Sequence, residues 1–204
     1  ALSRLARVAI RRFRPGGGSA LPGLLLSKVA PKLLAKNLRA FPQGVVVITG
    51  SAGKSTTTKM VVAIVRAHGL EVFTNPSTAN IRQGFFSSII EKSDLFGRIP
   101  GDIAILEMDE GHAESITTEV NPRIVTLLNV LEDQLDRFVE PSVVRGKLQS
   151  VASRATQSVL LNADDQNILM IEGSTSLPRK IWFGINSSVS QGSDLGVAPT
   201  YVNP

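Results

Sequence analysis

One short segment, residues 45–56, restricts the fold more than any other part of this sequence. It opens with five consecutive β-branched residues, 45–49, which predict a buried strand of a parallel sheet. A glycine-rich turn follows, and a helical pattern then begins at Lys54 and ends at the stop signal Gly69. This order places backbone N–H groups and a positive helix end where they can hold anionic oxygens. The segment therefore predicts a phosphate-binding loop in an α/β protein.

The rest of the chain alternates between the same two kinds of element, which predicts the α/β class with a parallel sheet and helices on both faces. The predicted strands after the first are 71–74, 102–108, 123–130, 158–163 and 180–185, and the predicted helices include 24–41, 81–96, 141–154 and 165–171. Three regions follow from this pattern. A basic helical segment with a glycine-rich loop (1–43) precedes the α/β domain (44–186), and a tail expected to be disordered (187–204) follows it.

Composition excludes several classes of site and partner. The 204 residues contain no cysteine, which excludes disulfides, thiol nucleophiles and zinc–thiolate sites in this sequence. No apolar run reaches the roughly 18 residues that a membrane span requires. Residues 1–70 hold twelve Lys/Arg and no Asp or Glu, which is typical of a solvated basic helix, a transit peptide, a nucleic-acid arm or a surface that meets anionic lipid. The single Trp and single Tyr argue against a nucleic-acid partner, because base stacking needs aromatic side chains.

The predicted loop carries the residue types that phosphate chemistry needs. Lys54 supplies a positive charge, and the Ser55 hydroxyl can ligate Mg²⁺ between phosphates. The spacing is G-x-x-G-K-S, shorter than the common G-x-x-x-x-G-K-[ST], because Ile48 stands where the first glycine of that pattern belongs. A glycine-rich turn with a chance lysine is the alternative. The residues expected to contact a nucleotide here are Gly50, Ser51, Ala52, Gly53, Lys54, Ser55 and Thr56.

A shortened loop of this kind resembles that of the Mur ligases, a family of ATP-dependent amide ligases. Five further motifs narrow the resemblance to the MurT subunits of lipid II isoglutaminyl synthases within that family. They occur in order along most of the chain: GGGSALPG at 16–23, TNPSTAN at 74–80, EMDE at 107–110, LNVLEDQLDRF at 128–138 and NADD at 162–165. The resemblance implies a Mur ligase central-domain fold with a variant phosphate loop.

The resemblance also implies roles for individual residues. Glu107 is expected to bind the metal that bridges ATP and an acceptor carboxylate, so that Lys54 and Glu107 are the expected catalytic residues and Ser55 and Glu107 the expected magnesium ligands. Asn129 and Asn162 are expected to bind the nucleotide, with Asn162 near the adenine. The loop residues Asn75, Ser77 and Asn80 are expected to face the phosphate loop and contact substrate.

Gln134 and the glycine-rich loop at 16–23 separate this sequence from the amino-acid-adding Mur ligases. Those enzymes carry a histidine that helps to hold a second metal at the position where Gln134 stands here. They also use a modified lysine, for which Lys147 is the nearby candidate, although a surface helix explains Lys147 equally well. Three more residues have ordinary structural interpretations: Asp164 and Asp165 as caps of the helix that starts there, and His112 as an exposed residue of an acidic loop.

The activity that the resemblance implies is amidation of the α-carboxyl of D-glutamate in the stem peptide of lipid II, through an acyl phosphate made with ATP. The ammonia would come from a GatD-like glutaminase partner, in the cytoplasm or at the inner face of the membrane. The family also carries a four-cysteine zinc ribbon and a closing C-terminal domain. This sequence has no cysteine ligands for zinc, so we expect it to be incomplete for turnover.

Three alternatives stay open at this point: an amino-acid-adding Mur ligase, a folylpolyglutamate-type ligase and a nucleotide-binding remnant without turnover. The acid-free N-terminus adds one more expectation. We expect its arginine-rich first helix to associate weakly with anionic membranes, in a manner that fades as salt shortens the Debye length.

Overall fold

The computed structural model describes residues 30, 32–75, 82–94, 97–131, 141–172 and 177–185. Several predictions lie outside these residues: the basic first helix, the glycine-rich loop at 16–23, Ser77, Asn80, Gln134 and the tail 187–204. The helices are α1 (Leu33–Leu38), α2 (Lys54–Ala67), α3 (Arg82–Lys92), α4 (Glu110–Glu119), α5 (Pro141–Ala152) and α6 (Gln166–Glu172). The strands are β1 (Val45–Thr49), β2 (Val72–Phe73), β3 (Ile103–Glu107), β4 (Ile124–Leu127), β5 (Ser158–Asn162) and β6 (Arg179–Phe183). No helix in these ranges is long and apolar enough to cross a membrane.

The six strands form one parallel sheet in the order β2-β3-β1-β4-β5-β6. The predicted α/β class with a parallel sheet is therefore confirmed. β1 lies between β3 and β4, since Ile48 pairs with Glu107 on one side and with Thr126 on the other. The chain leaves β1 toward β2 and β3 and later returns to the opposite side as β4. This reversal places a crevice at the carboxyl end of β1, where ligands bind in open α/β sheets.

Successive strand residues point to opposite faces, and helices cover both faces of the sheet unequally. The larger core contains Val47, Leu106, Leu127 and Leu161 from the strands, together with apolar residues of α1, α3, α4, α5 and α6. The smaller core lies on the other face. It contains Ile48 and Ile105, on which α2 packs through its buried Val62 and the partly buried Val61 and Val65. Among the described helices, α2 covers that face, so the loop before it is fixed against the centre of the sheet.

The structure differs from the sequence-based prediction at two helices. Residues 110–119 form α4, whereas the sequence analysis placed His112 in an acidic loop. The carboxylate of Asp109 accepts a hydrogen bond from the Gly111 N–H, and this cap starts the helix two residues after β3 ends. His112 is nevertheless exposed, as predicted. The predicted helix 81–96 ends at Lys92, because Asp94 begins a turn in which its carboxylate accepts from the Arg98 N–H at 3.0 Å.

Candidate nucleotide-binding site

The loop between β1 and α2 depends on two glycines with positive φ. Gly50 has a φ of +138°, and a Cβ there would lie 2.9 Å from the backbone nitrogen of Asn129. Gly53 is the N-cap of α2 with a φ of +81°, in the left-handed region that glycine adopts without cost. The first glycine therefore permits close contact with the segment after β4, and the second turns the chain into the helix.

Asn129 fastens the loop to the end of β4. Its Oδ1 accepts a hydrogen bond from the Ala52 N–H at 2.8 Å, and its Nδ2 donates to the Ala52 carbonyl at 3.2 Å. The Ser51 N–H donates to the Asn129 carbonyl at 3.0 Å, and the Ser51 hydroxyl accepts from the Leu131 N–H. The structure thus places Asn129, a predicted nucleotide ligand, against the loop backbone, where it fixes the shape of the loop.

Lys54 folds back over the loop that precedes it. Its Nζ donates to the carbonyl of Gly50, to the carbonyl of Ser51 at 3.1 Å and to Oε2 of Glu110 at 3.3 Å. The ion pair is well buried, since the side chain of Lys54 is 12% exposed and that of Glu110 is 1% exposed. From the sequence, Glu107 was expected to bind the metal, with Asp109 and Glu110 as residues around it. The structure brings Glu110 into direct contact with Lys54.

Ser55 and Glu107 meet at the same end of the sheet. The Ser55 hydroxyl, in the first turn of α2, donates to Oε1 of Glu107 at 2.9 Å. Glu107 is the last residue of β3 and is 4% exposed. A hydroxyl and a carboxylate are the oxygen ligands that Mg²⁺ prefers, so the pair fits the predicted magnesium site. An open cavity of about 210 Å³ lies here, lined by Ser51, Gly53, Lys54, Ser55, Thr56 and Glu107.

Asn75 holds the backbone on which Glu107 lies. Its Nδ2 donates to the Glu107 carbonyl and its Oδ1 accepts from the Glu107 N–H, both at 3.0 Å, and all three groups are buried. Lys92 Nζ donates to the carbonyl of Thr74, the residue that precedes Asn75, at 2.6 Å. Partial burial holds the pKa of Lys92 below its usual value, and the nearby charge of Glu91 offsets only part of this effect. Asn75 was predicted as a substrate contact. The structure shows its amide bonded to Glu107.

The NADD motif lies at the end of β5, beside the segment that carries Asn129. Asn162 Nδ2 donates to the Leu128 carbonyl at 2.7 Å, and its Oδ1 accepts from the Asp164 N–H. Asp165 caps α6 by accepting from the Ile168 N–H at 3.0 Å, as predicted, and its other oxygen accepts from the Val130 N–H. The motif therefore braces the strand ends behind the loop.

The described part of the chain contains no group of three or more His, Asp or Glu side chains arranged to hold a metal ion. Any magnesium site at the loop would therefore depend on the Ser55–Glu107 pair and on oxygens from the ligand itself. Such shared coordination is usual where Mg²⁺ is bound through one or two protein groups and substrate phosphates.

Comparison with known proteins places this geometry in a family. Residues 48–199 match the Mur ligase middle domain, which is more than half of the chain. The chain belongs to the Mur ligase family. In fold, it resembles the MurF ligase from Thermotoga maritima in complex with ADP, with a TM-score of 0.63 and 23% identity over 79% of this chain and 36% of that one. The predicted Mur ligase central-domain fold is therefore confirmed.

Relatives by sequence fall into two groups, and the first consists of MurT subunits. The chain is 32% identical over 164 residues to the MurT subunit of the lipid II isoglutaminyl synthase (glutamine-hydrolyzing) of Staphylococcus aureus (strain COL), covering 80% of this chain and 36% of the relative. It is 36% identical over 156 residues to the MurT subunit of Streptococcus pneumoniae (strain ATCC BAA-255 / R6), covering 74% and 33%. The resemblance to MurT seen in the sequence is confirmed.

A second group of relatives consists of amino-acid-adding Mur ligases. The chain is 29% identical over 185 residues to the UDP-N-acetylmuramoylalanine--D-glutamate ligase of Chromobacterium violaceum, covering 90% of this chain and 37% of the relative. The chain thus spans about a third of the length of the curated relatives it matches.

Proposed function

We propose that this chain is the nucleotide-binding domain of an ATP-dependent amide ligase, and that the loop from Gly50 to Thr56 holds the phosphates of MgATP. The observation that carries the proposal is the Ser55–Glu107 contact of 2.9 Å at the N-terminus of α2. A hydroxyl and a buried carboxylate meet there beside the loop lysine, at the crevice that the strand order creates.

The residues around the loop have distinct tasks in this proposal. Backbone N–H groups of the loop and the positive end of α2 hold phosphate oxygens, and Lys54 adds a full positive charge. Ser55 and Glu107 would hold Mg²⁺, which, when bound, neutralises charge on the phosphates. Asn129 and Asn75 keep the loop and Glu107 in place. Asn162, which donates to the Leu128 carbonyl, is the residue that we propose to lie near the adenine.

The substrate we propose comes from the names of the MurT relatives, which are subunits of a lipid II isoglutaminyl synthase. An oxygen of the D-glutamate α-carboxylate in lipid II attacks the γ-phosphorus of ATP, the bond to ADP breaks, and an acyl phosphate forms. Ammonia then attacks the acyl carbon and loses a proton, a C–N bond forms, and phosphate leaves. A GatD-like glutaminase would release the ammonia from glutamine, and the acceptor would lie near Asn75, Ser77 and Asn80 at the cytoplasmic face of the membrane.

Addition of D-glutamate is a second candidate reaction, because relatives of that activity align with up to 90% of this chain. The two reactions share the acyl phosphate step and differ in the nucleophile, which is ammonia in one and the amine of D-glutamate in the other. Because we expect the chain to be incomplete for turnover, the test is binding rather than product formation. Calorimetry with lipid II and with UDP-N-acetylmuramoylalanine, each in the presence of Mg²⁺ and a non-hydrolysable ATP analogue, separates the two candidates by the acceptor that binds.

Nucleotide binding is the part of the proposal that a single substitution tests. Replacing Lys54 by Ala removes a charge-assisted contact worth about 1.5–3 kcal/mol, so the affinity for MgATP should fall roughly tenfold to a hundredfold. Isothermal calorimetry of the chain measures this, and Lys59→Ala is the matched control, because Lys59 is an exposed lysine of the same helix. Equal MgATP affinity for wild type and Lys54→Ala would refute the assignment of the loop.

A further inference from the structure

Glu110 is a buried carboxylate whose hydrogen bonding is half complete. It is the first residue of α4 and is 1% exposed. Its Oε2 lies 3.3 Å from Lys54 Nζ, whereas its Oε1 has no hydrogen-bond partner among the residues that the structure describes. A buried charge with one partner is costly for a fold, so the group calls for an explanation.

Lys54 has no free donor in this arrangement. An ammonium group has three N–H donors, and the Gly50 carbonyl, the Ser51 carbonyl and Glu110 provide three acceptors. A phosphate oxygen can therefore reach Lys54 only by displacing one of these partners. Glu110 is the one that carries a full negative charge, and it opposes the arrival of a polyphosphate in the same place.

A second buried carboxylate belongs to the same site, since Glu107 lines the cavity together with Lys54 and accepts a hydrogen bond from Ser55, the next residue in the chain. A nucleotide without a cation brings further negative charge into this setting, whereas a nucleotide with a divalent cation brings much less. The electrostatic cost of Glu110 therefore falls mainly on the metal-free ligand.

Building on the proposed function, we propose that Glu110 is a positioning residue that holds Lys54 against the loop while the site is empty. By neutralising Lys54, Glu110 makes nucleotide binding depend on an accompanying divalent cation. A merely structural ion pair makes the opposite prediction, because its removal would loosen the loop and weaken the binding of every nucleotide form. The affinity for nucleotide without metal should rise on removal of the Glu110 charge if Glu110 is a positioning residue, and should fall if the ion pair is merely structural.

The experiment measures ADP affinity by calorimetry, once with excess EDTA and once with Mg²⁺, for wild type and Glu110→Gln. Glutamine keeps the volume of the side chain and removes its charge. We expect the metal-free affinity to rise at least about tenfold, given the interaction of unit charges a few ångströms apart at an effective dielectric constant near 20. The affinity for Mg·ADP should change much less. Glu114→Gln, one turn further along α4, is the matched control and should leave both affinities unchanged.

Each outcome decides the proposal. If wild type and Glu110→Gln both bind Mg·ADP but the substitution leaves metal-free affinity equal or lower, Glu110 has no positioning role, while the proposed function stands. If wild type binds no Mg·ADP, the proposed function fails and this inference fails with it. Glu110→Met is the second variant, because methionine keeps the side-chain volume and leaves no buried acceptor unpaired, while Lys54 keeps its bonds to the Gly50 and Ser51 carbonyls. If neither variant folds, Glu110 is a structural residue and the proposal is wrong.

Discussion

Asn75 bonds to the end of β3 and Asn129 follows β4, on the two sides of β1 and of the loop that leaves it, and both use the same pair of hydrogen bonds. Each side-chain amide donates to the carbonyl and accepts from the N–H of one residue, which is Glu107 for Asn75 and Ala52 for Asn129. The Asn75 pair is buried, whereas the Asn129 pair is exposed. The same pair of amide hydrogen bonds therefore orders the end of β3 at Asn75 and the loop backbone at Asn129.

The difference teaches where rigidity and adaptability lie in this site. On the β3 side, Asn75 fixes the backbone of Glu107, and the carboxylate of Glu107 reaches Ser55. On the β4 side, the contacts between Asn129 and the loop are uncharged, and water can replace them. We infer that the β3 side sets the position of the charged groups and that the β4 side sets the conformation of the loop.

The largest expected effect comes from Gly50→Ala, which tests how tightly the loop fits the β4 side. The new Cβ would combine a positive φ with a 2.9 Å approach to the Asn129 backbone, so we expect unfolding free energy to fall by about 4 kcal/mol. Urea denaturation measures the change. Gly53→Ala is the control, because its Cβ would meet only Leu128 Cδ1 at 3.8 Å. Equal losses for the two variants would show that the Asn129 contact is loose.

Asn75→Ala should have the next largest effect, on stability. It leaves the buried N–H and carbonyl of Glu107 without their Asn75 partner, at a cost of about 3 kcal/mol in unfolding free energy. Urea denaturation of Asn75→Ala and Asn129→Ala under the same conditions compares the same substitution at a buried and at an exposed position. A loss at Asn75 no larger than the loss at Asn129 would contradict the division between a buried and an exposed side.

Asn129→Ala should have the smallest effect on stability and a larger one on the ligand. Because water can satisfy the exposed Ala52 groups, we expect a loss of about 1 kcal/mol in unfolding free energy. Mg·ADP affinity, measured by calorimetry, should fall about tenfold as the loop loses its shape. Asn129→Asp keeps the acceptor for the Ala52 N–H and should retain part of the affinity. Unchanged affinity in Asn129→Ala would mean that Gly50 and Ser51 order the loop without the amide.

Features that depend on residues close together in the sequence could be predicted from the sequence. The helix predicted to begin at Lys54 and to stop at Gly69 is α2, and Gly69 has the positive φ of a helix stop signal. All six strands lie where apolar runs predicted them. Helix α4 escaped prediction although Asp109 and Glu110 are a cap and an acidic first turn typical of a helix start. Only two of its buried residues, Ala113 and Ile116, are apolar, so its apolar periodicity is weak.

The sequence by itself determined the parallel α/β class and the glycine-rich loop between β1 and α2, because β-branched runs, glycine stops and helix starts act over a few residues. The pairing of Ser55 with Glu107 was implied by family resemblance, and the strand order that sets β3 beside β1 realises it. Only the tertiary structure decided that Glu110 faces Lys54 and that Asn75 serves the backbone of Glu107. These contacts join strand ends that are distant in sequence. No local propensity encodes them, since they follow from the order in which the strands assemble around β1.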